Sequence, residues 1–545
     1  MMSADNFTPP ASRLLRQVRL GATDAWTVLG LLVLLAAYIA RYFNFSALPD
    51  EDGAILMRYA LHMAQGHGLV WNVGEPPVEG ATDFGYTVLL AALVKLGLTL
   101  EAAPRVIGIA SHAITVCLIY IVSVRLVGAH RGLAAFSAIF VAIGPGLNYA
   151  QVHYGTPLFA LVGTVAFCFA VALYRSVTLR DSILFALSCL LLGLVRPEGV
   201  LLAFLMLLGL VVALGLRRSL IPASCFVAVF ATLGMAYFVW RVWYFGLILP
   251  NPAYIKADGG LHLAPLIVSI RNVAILTLAF SLVGLLALRT RETARKASLA
   301  LVPVAGFAAI WVFMDDMQNY LMRYQYAVLP LVAIWWTALL PDIRRDWSLP
   351  HLGELTPRRR LAMMGLAGIL GAGMLAFQFA LYRDYARFER GLYDAAMILR
   401  DYRDRGYTLA TTEAGLLPLY SEWRSIDAWG LNDAWIAKNG IITEAYLDAN
   451  KPAVIVFHAF FSPIFPPKPD GGHWSLMTET LRRYAEKNGY HLAASFGERP
   501  DDTHYYYVRS DLPESKEITA RIRALDYYTL DGVLTTSYAP PIDAR

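Results

Sequence analysis

Blocks of about 20 apolar residues recur through the first 382 positions, and a segment of about that length crosses the hydrocarbon core of a bilayer. Only 16% of the residues are charged, whereas soluble domains carry about 25%. These observations exclude an ordinary soluble protein and predict a polytopic α-helical membrane protein. We place about eleven spans at 26–42, 105–127, 131–148, 156–174, 182–195, 198–216, 219–245, 264–288, 298–314, 322–340 and 361–382.

Arginine-rich turns fall on every second predicted loop, and the positive-inside rule assigns such loops to the cytoplasm. The apolar block 84–98 would invert this pattern if it crossed, so we predict that it forms a juxtamembrane helix in a first outer loop, 43–104. The N-terminus is then cytoplasmic. The basic turns are Arg125 with Arg131, Arg175 with Arg180, Arg217 with Arg218, the run 289–296, and Arg344 with Arg345 and 358–360.

The chain changes character after residue 382, where it becomes charged and aromatic. Strand-like runs at 407–412, 453–458, 492–496 and 505–508, with a helical pattern at 474–488, predict an α/β domain over 383–545. The span count places this tail on the extracytoplasmic, periplasmic side, where we expect it to shape an acceptor site. Residues 1–382 would form the membrane domain.

Three carboxylates, Asp50, Glu51 and Asp52, open an amphipathic helix close to the end of the first span. Acidic residues in a first turn often only cap the helix. Near a membrane surface, clustered negative charge is costly, which favours a functional role. Asp52 and Glu51 are the candidate catalytic residues, and the sequence leaves open which of the three is the base.

Four cations, Arg58, Arg196, Lys256 and Arg323, map to the same outer interface. Each alone is explained by snorkelling towards lipid headgroups. Together, beside the acidic turn, they indicate a site for an anionic group such as a phosphate. Arg196 is the most informative, because it interrupts two apolar blocks, where charge is expensive and usually functional.

Weaker signals suggest contacts to a sugar or acceptor. His153 lies in a short outer loop, Asp427 and Trp429 lie in the aromatic part of the tail, and Glu79 belongs to the first outer loop. The pair Asp315 and Asp316 is a further candidate. No metal site is assigned, because the four cysteines lie inside apolar blocks without ligand spacing; no cofactor is identified, and a divalent metal is possible but not indicated.

Several stretches, in order along most of the chain, resemble GT-C membrane glycosyltransferases, and specifically arabinofuranosyltransferases like the mycobacterial terminal β-1,2 enzyme. The tail matches this group in Asp427 as well. The stretches are EDGAILMRYA at 51–60, GLVWNVGE at 68–75, VEG at 78–80, RPEG at 196–199, LPN at 249–251 leading through Tyr254 to Lys256, RY at 323–324 with LP at 329–330, EAG at 413–415 and GLND at 430–433.

The resemblance implies an inverting enzyme of the bacterial cytoplasmic (inner) membrane. It would move a sugar, with arabinofuranose favoured, from a polyprenyl monophosphate donor to a glycan or glycoprotein at the outer face. Partners would be membrane lipid and these substrates, without nucleic acid. The chain departs from the family in carrying Glu51-Asp52 instead of two aspartates and Gly155 where a glutamate is usual. Two alternatives stay open: a hexosyl donor such as a mannosyl one, and a lipid-linked sugar flippase or transporter.

Overall fold

The computed structural model describes residues 21–256, 260–314, 319–350, 352–383, 390–458, 473–497, 503–525 and 527–529. Its membrane part is a bundle of helices. These are α1 (Ala22–Tyr42), α2 (Glu51–Ala64), α3 (Phe84–Lys95), α4 (Ala102–Val122), α5 (Arg131–Ala142), α6 (Gly146–Gln151), α7 (Thr156–Arg175), α8 (Leu179–Val195), α9 (Glu198–Leu214), α10 (Leu216–Val229), α11 (Met235–Phe245), α12 (Asn251–Lys256), α13 (Leu263–Leu286), α14 (Arg291–Ala309), α15 (Leu329–Asp346) and α16 (Pro357–Tyr382).

The predicted spans match this bundle. Within the described ranges, nine helical segments are long and apolar enough to cross a membrane, some of them joined through π-helical or 3₁₀ turns. Helices α8 and α9, with 17 residues each, lie at the positions of the other two predicted spans but are shorter than the nine. Helix α3 has 12 residues, about 18 Å at 1.5 Å per residue, which is too short for a hydrocarbon core of about 30 Å. The length of α3 agrees with the prediction that block 84–98 does not cross, which stays a prediction.

The predicted basic turns come together at one end of the bundle. Arg125 and Arg131 both pair with the buried carboxylate of Asp24 in α1. Lys296 contacts Asp342 at 2.8 Å. Ion pairs therefore tie the spans together at this end, which we call the basic end. The loops that carry the predicted site residues lie at the opposite end.

The tail is an α/β domain with a mixed six-stranded sheet, in the order β2-β1-β3-β5-β4-β6. Strands β2, β1 and β3 are parallel, whereas β5 runs antiparallel to both β3 and β4. The elements are α17 (Arg390–Arg400), β1 (Thr408–Thr411), α18 (Leu416–Ser421), β2 (Arg424–Asp427), α19 (Ala434–Asn439), α20 (Glu444–Asn450), β3 (Val454–His458), α21 (His473–Lys487), β4 (Tyr490–Gly497), β5 (His504–Arg509), α22 (Ser515–Arg523) and β6 (Tyr528–Thr529).

The tail domain covers the end of the bundle opposite the basic end, and we call this the capped end. Ala54 and Met57 of α2 belong to the same buried apolar cluster as Leu399 and Leu417 of the tail. Removing this apolar surface from water holds the two parts together. Helix α2 is therefore shared: it contacts the bundle, and one of its sides is part of the tail's core.

Candidate functional site

The first turn of α2 sets the site. Asp50 is its N-cap and accepts a hydrogen bond from the Asp52 backbone N–H at 3.2 Å. The Asp50 N–H donates to the Val152 carbonyl oxygen at 3.2 Å, which fixes the helix start against the loop before α7. Burial, followed by the nearby Asp52, raises the pKa of the Asp50 carboxyl. The N-capping interpretation therefore holds for Asp50, and Asp52 is left to face the bundle.

Asp52 forms an ion pair with Arg323, which lies where the chain enters α15. The Asp52 side chain is 38% exposed, whereas that of Arg323 is only 6% exposed. The guanidinium also lies over the rings of Tyr154 and Tyr324, at 4.4 and 5.0 Å from the ring centroids. Cation–π contacts of this kind fix a guanidinium in place. The carboxylate that solvent can reach is thus held by a cation that is already in position.

A second carboxylate–guanidinium pair lies beside the first. The Arg196 guanidinium is 3.5 Å from Asp83 and 2.6 Å from Glu198, and it lies 5.6 Å from the Tyr324 ring. Tyr324 thus contacts both guanidiniums. Burial raises the pKa of Asp83 to about 6, although Arg196 acts in the opposite direction. We call Asp52, Asp83, Arg196, Glu198 and Arg323 the ion cluster.

Gly155, which has no side chain, leaves space for Asp83. A Cβ at Gly155 would lie 3.1 Å from an Asp83 carboxylate oxygen and 3.0 Å from the Tyr86 ring. Gly155 has φ −71°, so its backbone is open to any residue and space is the constraint. The GT-C enzymes that the sequence resembles usually carry a glutamate where this chain has Gly155. Here the carboxylate of Asp83, from another loop, lies next to that position.

Glu51 lies apart from this cluster, although it adjoins Asp52 in sequence. Its carboxylate accepts the backbone N–H groups of Gly415 and Leu416, at 2.6 and 2.9 Å. Burial and the nearby Glu413 raise the pKa of Glu51 well above its usual range. A side chain held in this way connects the first outer loop to the tail, and we call this contact region the joint.

Arg58 also belongs to the joint. Its guanidinium is buried and donates to four neutral oxygens, those of the Trp71, Pro418 and Trp423 carbonyls and the Asn72 amide. The structure therefore does not bring Arg58 to Arg196 and Arg323, with which the sequence grouped it. The side chain of Lys256, together with Asp315 and Asp316, lies outside the described part of the chain.

The residues predicted to contact the acceptor make contacts within the protein instead. Glu79 is paired with the buried Arg241 of α11, with one N–O distance of 2.6 Å. Asp427 is fully buried and accepts three hydrogen bonds of 2.9–3.0 Å from Trp429 and Asn432. Trp429 is 8% exposed in an apolar core, so its faces are covered. The polar groups of Glu79 and Asp427 and the faces of Trp429 are thus engaged within the protein and are not presented to a sugar.

His153 packs beneath the first turn of α2. A Cβ on Gly53 would meet the Val152 carbonyl oxygen at 2.8 Å and the His153 Cβ at 3.4 Å. The His153 side chain is fully buried, and burial lowers its pKa to about 3, with Arg105 acting in the same direction. A neutral histidine with φ +66° at this depth supports the backbone of α2, and the structure does not place it in the ion cluster.

Sequence reasoning did not select two members of the ion cluster, Asp83 and Glu198, or the two tyrosines beside it, Tyr154 and Tyr324. Asp83 had a usable signal, since it precedes the helix α3 in the position of an N-cap. Glu198 and Tyr324 stand in the stretches RPEG and RY that carry the resemblance, whereas Tyr154 has no such signal, because its role depends on two loops meeting in space. Among the residues that the structure describes, no three His, Cys, Asp or Glu side chains gather as a metal site.

The apolar helices, the short helices α2 and α3 and the domain over the capped end together form a fold that this chain shares with solved structures of other proteins. The structure is similar to ArnT from Cupriavidus metallidurans bound to undecaprenyl phosphate, with a TM-score of 0.57 and 13% identity over 89% of this chain and 98% of that one. It is also similar to the Archaeoglobus fulgidus oligosaccharyltransferase, with a TM-score of 0.52 and 12% identity over 89% and 75% of the two chains.

Two sequence comparisons are less informative. Residues 380–509 match a family described as a domain of unknown function, DUF8728, which corresponds to most of the tail. No curated protein matches the chain. The fold class is thus established by structure, and the chemistry has to be argued from the ion cluster.

Proposed function

We propose that the chain is an inverting glycosyltransferase that moves a sugar from a polyprenyl monophosphate to a glycan or glycoprotein acceptor. The observation that carries this proposal is the pairing of a solvent-accessible carboxylate, Asp52, with a buried guanidinium, Arg323, beside a second one, Arg196. A base and fixed cations are the groups that the reaction requires. Undecaprenyl phosphate bound to the similar ArnT supports a donor of this lipid class.

The reaction would proceed as a single displacement. An acceptor hydroxyl attacks the anomeric carbon, its proton passes to Asp52, and the bond from that carbon to the phosphate oxygen breaks. The polyprenyl phosphate leaves with the electron pair and a further negative charge. Arg323 and Arg196 stabilise that charge, because preorganised cations act strongly where water is excluded.

The ion pair between Asp52 and Arg323 implies an order of events. A carboxylate paired with a guanidinium is a weak base, because the cation stabilises its charged form. The donor phosphate, a competing anion, would pair with the fixed Arg323 guanidinium, weaken its hold on Asp52 and leave Asp52 able to accept a proton. Asp52 would then become an effective base only after the donor has bound.

For the sugar we propose arabinofuranose, on the resemblance of the motifs at 51–60, 196–199 and 430–433. We further propose that the capped end faces outward from a bacterial cytoplasmic membrane, because the basic end carries the arginine-rich turns. A reporter fused to the C-terminus should then be active only outside the membrane. Activity in the cytoplasm would reverse this assignment.

The function is tested by incubating the purified full-length protein with polyprenyl phosphates that carry arabinofuranose, mannose or glucose. We expect one donor to be consumed, with arabinofuranose favoured, and we expect the Asp52→Asn protein to consume none at a comparable rate. Consumption of a mannosyl or glucosyl donor alone would keep the reaction class and correct the sugar. If no donor is consumed, and lipid-linked sugar instead crosses the bilayer of proteoliposomes, the chain is a transporter.

A further inference from the structure

A cavity of about 470 Å³ lies in the joint, between the second half of α2 and the tail. This volume is within the range of small-molecule sites, about 300–1,000 Å³. Neither the ion cluster nor the proposed reaction uses it. Its polar lining residues include Arg58, His62, Gln65, Glu101, Arg400 and Glu422.

Helix α2 lines the cavity with one of its faces. Arg58, His62 and Gln65 follow each other at intervals of four and three residues, which places them on the same side of a helix. The His62 Nδ1 lies 3.0 Å from the Val70 carbonyl oxygen, which only accepts, so Nδ1 carries the hydrogen. Burial, followed by Arg58, lowers the pKa of His62 to about 4, so the ring is neutral at pH 7 and Nε2 is an acceptor.

The charged groups of the cavity balance. The guanidiniums of Arg58 and Arg400 are matched by the carboxylates of Glu101 and Glu422. Arg400 and Glu422 pair at 2.6 Å, and the Tyr420 hydroxyl donates to Glu101 at 3.4 Å. A phosphate would find no excess of positive charge here. A ligand with many hydroxyls would find acceptors and donors of both kinds without bringing a charge of its own.

We infer that this cavity is a binding site for a neutral glycan and that it holds a part of the acceptor remote from the reacting hydroxyl. Its place in the reaction rests on the proposed function. Asp52 and Gln65 lie at the two ends of α2, about 20 Å apart at 1.5 Å per residue. The reacting sugar and the cavity therefore contact the same helix, and an acceptor long enough to span it contacts both ends.

The site is tested by measuring binding of linear neutral oligosaccharides, from disaccharides to hexasaccharides, to the full-length Asp52→Asn protein. Binding in this protein does not depend on turnover. We expect the longer oligosaccharides to bind, and we expect Gln65→Ala and Glu101→Gln each to weaken binding about three- to tenfold, as for loss of a single hydrogen bond. Glu486→Gln, on the exposed face of α21, is the matched control and should bind normally.

Three results would overturn the inference: no binding of any neutral oligosaccharide, tighter binding of phosphorylated than of neutral ones, or unchanged binding in both cavity variants. Gln65 is exposed at the C-cap of α2, so Gln65→Ala is expected to fold normally, and a melting curve checks this. Donor consumption by the unmodified protein is scored separately. Consumption without cavity-dependent binding rejects the glycan site alone, whereas cavity-dependent binding without consumption rejects the transferase alone.

Discussion

Glu51 and Asp52 are consecutive carboxylates in one helical turn, and they belong to two different regions. In the joint, Glu51 is half-buried and accepts two backbone N–H groups that belong to the tail. In the ion cluster, Asp52 is 38% exposed and pairs with a side chain. Backbone partners cannot change without unfolding a turn, whereas a side-chain ion pair can open for a ligand. The kind of partner therefore distinguishes Glu51, which has a structural role, from Asp52, which is available for chemistry.

Replacing Asp52 should produce the largest effect. Asp52→Asn keeps the shape of the side chain and removes its basicity, so we expect transfer to fall by about 10² or more, the scale of general-base loss. The measurement is turnover with a saturating donor. Thermal stability should change little, because Asp52 is partly exposed. Near-normal turnover in a folded Asp52→Asn protein would show that Asp52 is not the general base.

The second comparison is between two arginines. Arg323→Gln should weaken donor binding about ten- to a hundredfold, because a charge-assisted contact contributes about 1.5–3 kcal/mol. Arg58→Gln should leave donor affinity unchanged and lower the melting temperature, since three carbonyls of the joint lose their donors. Affinity is measured by competition with polyprenyl phosphate. Weaker binding of the polyprenyl-phosphate donor by Arg58→Gln would show that Arg58 contributes to the phosphate site.

The joint can be loosened without altering any charge. A Cβ on Gly415 would lie 2.3 Å from the Glu51 carbonyl oxygen, so Gly415→Ala should separate the tail from α2. Overpacking of this kind costs about 1–3 kcal/mol, and limited proteolysis of the tail measures it. Gly365→Ala in α16 is the matched control, since nothing lies within 4 Å of its Cβ position. Equal protease resistance in both variants would show that the tail is not held through Glu51.

The smallest expected effect is a pH dependence within the ion cluster. The Asp83 pKa of about 6 lies above its ordinary value. Above that pH, Asp83 is ionised and offsets Arg196; below it, Arg196 and Arg323 have lost one of the carboxylates that surround them. Donor affinity should therefore rise severalfold as the pH falls through about 6, and the donor phosphodiester does not titrate there.

The Asp83→Asn protein tests whether the carboxyl of Asp83 causes this pH dependence, because the variant cannot titrate at that position. Its donor affinity should stay near the higher value from pH 5 to pH 8, within about a factor of two. Asp50→Asn is the control, because Asp50 also has a raised pKa beside Asp52. If the slope persists in Asp83→Asn and disappears in Asp50→Asn, the titrating carboxyl is Asp50.

The positions of the apolar helices, the short helix α3 and the character of the tail followed from the sequence, because apolar length and alternation are local properties. The partners of single side chains did not. Arg58 and Arg323 are both basic residues near an interface, and only the path of the tail determines that one meets carbonyls and the other meets Asp52. Strand β2 was also missed, because its four residues show little alternation and are paired by β1.

The adjacency of Glu51 and Asp52 bears on how relatives of this chain can diverge. A tail adapted to a new acceptor can vary over its surface and within its cavity. At Gly415 and Leu416, however, a changed backbone would move the residue next to the proposed base. We expect sequences of such relatives to differ most in the outward faces of the tail and least at the turn that meets α2, even though that turn contacts no substrate in the proposed reaction.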